Sequence, residues 1–90
     1  MVKGKLKNGF DIIIEDENLD DFEVLEALCD IDEDSSNITK IIFVYKRLLG
    51  EEQYGKLKEH MRNKSGKIST TEMAATLDEI INMGDETKNS

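Results

Sequence analysis

The chain has 90 residues, of which 38% are apolar and 36% charged, with no Pro, no Trp and a formal net charge of −8. A chain of this length holds one small domain with a single modest core, and its composition is too apolar for a chain disordered throughout. The charge is segregated, +3 over residues 1–9, −12 over 10–37 without a Lys or Arg, +5 over 38–67 and −4 over 68–90; so dense an acidic block repels phosphates, arguing against nucleic acid and for a protein partner.

No stretch near the start has the basic-then-apolar form of a signal peptide, and the longest apolar run, 41–45, is far too short to cross a bilayer. A cytoplasmic protein without membrane association is expected. Residues 2–15 read as a β-hairpin around Asn8-Gly9, because Asn-Gly supplies the positive φ angles of a two-residue turn and Val2, Leu6, Phe10, Ile12, Ile13 and Ile14 give apolar flanks. Lys3, Lys5 and Lys7 on the first strand discourage edge-to-edge association, while a sheet-mediated contact between copies stays open as the alternative.

An acidic connector, 16–21, leads into a helix over about 20–29, whose inner stripe is expected to be Phe22, Leu25, Leu28 and Cys29, with Val24 and Ile31 at its margins. Asp20, Asp21 and Glu23 complement the positive end of the helix dipole. Cys29 is the only cysteine, which excludes an internal disulfide and a cysteine metal cage; a buried structural thiol is expected. Residues 30–37 invite comparison with a calcium loop, since Asp30, Asp32 and Asp34 alternate like EF-hand ligands. The comparison fails where Ser35 replaces the required Gly and Ile41 the bidentate Glu, leaving a solvated loop with helix-capping residues.

The most apolar helix spans about 37–49, capped by Ser36 or Asn37 and ended by Gly50. Ile38, Ile41, Ile42, Tyr45, Leu48 and Leu49 form its stripe, and Phe43 and Val44 lie beside it, so more than half its circumference is apolar. A third helix, 51–63, turns Tyr54, Leu57 and Met61 inward and carries His60, the only histidine, on its surface. Gly66 permits a tight turn, and Ser69 with Glu72 makes a capping box for a fourth helix over 70–83, which buries Met73, Leu77, Ile80 and Ile81. Residues 61–72 also follow the second half of an EF-hand at Gly66, Ile68 and Glu72, but Met61, Asn63 and Ser65 stand where carboxylates are needed, so tight calcium binding is not expected. Gly84 closes the helix and 85–90 form a flexible tail. The expected fold is mainly α, a small four-helix domain with an N-terminal β-hairpin (α+β), in a single domain over 1–84.

No phosphate-cradling glycine loop, metal cluster or nucleophile–base set occurs at useful spacing, so no enzyme activity, cofactor or metal is expected. The order of features resembles a known family: a short hairpin, an acidic helix with Asp21-Phe22-Glu23-Val24-Leu25-Glu26, an apolar helix ending Leu48-Leu49-Gly50, Glu52-Gln53 leading to Leu57 and His60-Met61-Arg62, then Ser65-Gly66-Lys67-Ile68-Ser69 with Glu72-Met73 and Glu79-Ile80. Over nearly its whole length the chain resembles the tail assembly chaperones of long-tailed phages and prophages of Gram-positive bacteria. That resemblance implies a helical cytoplasmic protein, absent from the finished virion, which coats the tape-measure protein, helps recruit tail-tube subunits, self-associates in many members and has no catalytic motif. The candidate partner contacts are Phe43, Val44 and Tyr45, whose helix is broader in apolar surface than one core needs. The alternative is an acidic regulatory adaptor that uses residues 11–34 to occupy a basic protein surface.

Overall fold

Strand β1 (Val2–Lys5) pairs antiparallel with β2 (Asp11–Ile14) at the start of the computed structural model, which describes residues 1–34 and 36–88. The register is one residue away from that of a two-residue turn. Leu6 N–H donates to the Phe10 carbonyl at 2.8 Å and Gly9 N–H to the Leu6 carbonyl at 2.9 Å, which leaves Lys7-Asn8-Gly9 as the loop, with Gly9 at φ 92°. Hydrophobic patterning selects this register: Val2 faces Ile14 and Gly4 faces Ile12, whereas the shorter turn would set Val2 against Glu15 and Leu6 against Asp11. Val2, Leu6, Ile12 and Ile14 therefore share one face, and all are buried.

A side-chain amide blocks the outer edge of β2. Gln53 Oε1 accepts from Ile13 N–H at 2.8 Å, and Gln53 Nε2 donates to the Ile13 carbonyl at 2.8 Å, so one glutamine satisfies the edge as a neighbouring strand would.

The described residues are mainly helical, as the sequence indicates, but the helix boundaries differ. The connector expected over 16–21 contains a short helix, α1 (Asp16–Leu19), and α2 (Phe22–Glu33) runs past Cys29 through the first half of the expected polar loop. The helices expected over 37–49 and 51–63 are two arms of α3 (Ile38–Met61), which breaks at Gly50, where φ is 79° and ψ 158°. Asn37, not Ser36, caps the first arm by accepting from Lys40 N–H at 3.3 Å. α4 (Thr70–Lys88) continues through Gly84, where a stop was expected, so residues 85–88 are helical. Ser35, which holds the glycine position in the calcium-loop comparison, and residues 89–90 of the expected tail lie outside the described residues.

The core lies where the hairpin's apolar face, both arms of α3 and α4 meet, with α2 laid along α3. Tyr45 and Tyr54, one from each arm, stack with ring centroids 5.2 Å apart, and Tyr45 Oη donates to the Met73 carbonyl of α4 at 2.6 Å. That hydrogen bond ties the middle of the chain to its last helix.

Candidate interaction surface

Helix α2 is fixed at both ends. Asp21 caps it, its carboxylate accepting from the N–H groups of Glu23 at 3.0 Å and Val24 at 3.3 Å. The same carboxylate takes Arg47 Nε at 3.0 Å and a terminal guanidinium nitrogen at 2.7 Å, and Arg47 also reaches Glu23 at 3.4 Å. At the other end Lys40 Nζ lies 3.4 Å from Asp30. Partial burial pushes the Asp21 carboxyl up, but the hydrogen bond and charge of Arg47, with the two backbone donors, outweigh it and hold the group below its ordinary value of 3.8.

Asp21 binds its proton more weakly when folded than when unfolded, so its contribution is fully present above pH 3.8 and is lost as the pH falls through the lower folded value. Asp21→Asn keeps a capping side chain but removes the charge facing Arg47. The variant is expected to be less stable than the parent at pH 7, and the gap between their denaturant midpoints should narrow as the pH falls below 3.8. A gap that stays constant with pH would show that the Arg47 pair contributes nothing.

The rotation of α2 that accompanies these contacts opposes the expected one. Val24 and Ala27 are buried and Leu28 and Ile31 half-buried, while Phe22 is 76% and Leu25 56% exposed and Cys29 is exposed rather than a buried thiol. Both stripes fit helical spacing. The one centred on Phe22, Leu25 and Cys29 is bordered by Glu26, Asp32 and Glu33, and turning it inward would desolvate those carboxylates. The stripe of Val24, Ala27, Leu28 and Ile31 is bordered by Asp21 and Asp30, which find Arg47 and Lys40, and Ala27 admits close helix approach. The signal was in the sequence as a second run at i, i+3, i+4 and i+7.

Of the residues expected to contact a partner, Val44 is 0% and Tyr45 1% exposed, so both belong to the core and offer no contact surface. Phe43 is half-buried, with the Arg47 guanidinium 5.2 Å from its ring centroid. The buried face of α3 includes Val44, while Ile38 and Ile42 are exposed.

The two loops compared with calcium sites are closed by protein groups. Asp30 and Asp32 lie on α2 rather than in a loop, and Asp34 accepts from Ser36 Oγ at 2.6 Å and Ser36 N–H at 3.1 Å, which lowers its pKa. In the second loop Asn63 Oδ1 already accepts from Ser65 N–H, Ser65 Oγ and Lys67 N–H at 2.8–3.0 Å. His60 is exposed, with Nε2 2.9 Å from the Asn8 carbonyl and its ring beside Phe10. Among the described residues no group of three or more His, Cys, Asp or Glu is placed to hold a metal ion, and no helix is long and apolar enough to cross a membrane. Compared with known protein families, curated proteins and solved structures, the chain matches none of them.

Proposed function

We propose that this protein is an assembly chaperone of the phage-tail kind, which holds the tape-measure protein during tail-tube assembly in the host cytoplasm and catalyses no reaction. The observation that supports the reading is the outer face of α2. Phe22, Leu25 and Cys29 are exposed in line over two helical turns, although the core is complete without them. Apolar side chains kept together at the surface favour a protein contact, and a chaperone needs such a face to cover an aggregation-prone helix.

The test is capture of the tagged protein co-expressed with the genes that flank its own, followed by mass spectrometry. A very long, helix-rich protein should be retained by the parent and released by Leu25→Ser. Leu25 is more than half exposed, so the substitution should move stability by no more than about 0.5 kcal/mol. Retention by both proteins, or failure of the parent to retain such a protein, overturns the reading.

A second reading, the acidic adaptor, draws support from Glu26, Asp32 and Glu33, which form no ion pair among the described residues. It expects a basic DNA-binding protein in the same experiment, washed off by salt and indifferent to Leu25→Ser.

A further inference from the structure

From the charges around the exposed stripe of α2 we infer that its occupant is a basic amphipathic helix. Phe22, Leu25 and Cys29 would meet the apolar side of that helix, and Glu26, Asp32 and Glu33 its lysines or arginines. This deepens the reading above and rests on its assignment of the partner face to α2.

Three features of the surface select that chemistry. The stripe advances seven residues, about 10 Å along the helix axis, as a convex ridge of side chains at three- and four-residue steps. Such a ridge fits the groove of another helix, and a helix brings its backbone to an apolar surface with every N–H and C=O already paired. The borders then fix the sign. Glu26 follows Phe22 by four positions, Glu33 follows Cys29 by four and Asp32 follows it by three, so carboxylates without an ion pair among the described residues stand on both sides of the ridge, and α2 carries no Lys or Arg. Glu23 and Asp30 are engaged by Arg47 and Lys40, which leaves these three to meet a partner.

Two α2 faces do not fit each other. Two α2 faces laid together would bring borders of carboxylates against each other with no Lys or Arg on either helix to neutralise them. The second arm of α3, with Lys56 and Lys58, buries Tyr54 and Leu57 and presents no apolar stripe to match.

The probes are three synthetic helical peptides of about 20 residues, long enough to hold helix in isolation. One carries a leucine stripe bordered by lysines, one the same stripe bordered by glutamates, and one a serine stripe bordered by lysines. Each has a single tryptophan whose fluorescence reports binding, since the protein contains none. The Leu/Lys peptide is expected to bind, with the other two at least about tenfold weaker, and raised salt should weaken it without abolishing it. Leu25→Ser should cost the Leu/Lys peptide about tenfold with the thermal midpoint unchanged, and Glu26→Lys combined with Glu33→Lys should transfer the preference to the Leu/Glu peptide.

Equal binding of the Leu/Lys and Leu/Glu peptides, lost in Leu25→Ser, would overturn the basic occupant and keep the apolar face. A Ser/Lys peptide that binds as tightly as Leu/Lys would reduce the interaction to charge attraction and overturn the inference. Binding indifferent to Leu25→Ser would overturn both the inference and the assignment of the face. No binding of the Leu/Lys peptide overturns the inference alone and leaves the assembly reading to the capture experiment.

Discussion

Tyr45→Ala is expected to lower the melting temperature by roughly 20 °C and to leave much of the protein unfolded at 37 °C. The ring is 1% exposed and stacks on Tyr54, and its hydroxyl donates to the Met73 carbonyl. Truncating a buried aromatic side chain to alanine costs about 3–5 kcal/mol, against about 5–15 kcal/mol of total stability for a small domain. Losing the hydrogen bond alone, in Tyr45→Phe, should cost about 1 kcal/mol. Desolvation, followed by repulsion from Tyr54 and Glu79, pushes the Tyr45 hydroxyl far above its ordinary value of 10.0, so it stays protonated as a donor up to strongly alkaline pH. Thermal and denaturant unfolding of the two variants separates packing from hydrogen bonding. Partner capture by Tyr45→Phe should match that of the parent, whereas a folded Tyr45→Phe protein that loses its partner would return Tyr45 to the contact surface.

Gly50→Ala is expected to destabilise the protein by about 1–3 kcal/mol without lowering its helix content. At φ 79° and ψ 158° the backbone occupies a region essentially closed to any residue with a β-carbon, while nothing lies within 4 Å of where that carbon would sit. The cost is therefore conformational. The chain can escape it only by making position 50 helical, where alanine is favoured over glycine by about 1 kcal/mol, and so by straightening α3. A straight α3 carries Gln53 away from the edge of β2 and Tyr54 away from Tyr45. Denaturant unfolding measures the loss, circular dichroism should show unchanged or greater helicity, and the Ile13 amide should lose its protection against hydrogen exchange. A gain in stability with Ile13 still protected would show that the break at Gly50 is not required by the fold.

Legibility along the chain followed what each residue needs from distant ones. The hairpin was readable because Gly9 and the alternating flanks act over a few residues. Its register was not readable from Asn8-Gly9, since pairing even-numbered apolar residues with one another outweighs the preference for the shortest turn. Tyr54, Leu57, Met73, Leu77 and Ile80 were readable as core because in each helix a single apolar stripe faces polar residues. α2 offered two stripes, and periodicity alone does not choose between them.

The sequence by itself determined a small, acidic, mainly helical chain with a hairpin at its start, a break at Gly50 and one cysteine, because composition, periodicity and backbone preference are local properties. Only the tertiary structure decided which side of α2 faces inward. That choice goes with Arg47 and Lys40, which come from another helix and neutralise Asp21 and Asp30 at one pair of borders, while Glu26, Asp32 and Glu33 have no such partner among the described residues. The same choice left Phe22, Leu25 and Cys29 outside, while Tyr45 became core through Tyr54 and the Met73 carbonyl. A single residue's surroundings do not encode the position of a counter-charge contributed by another helix.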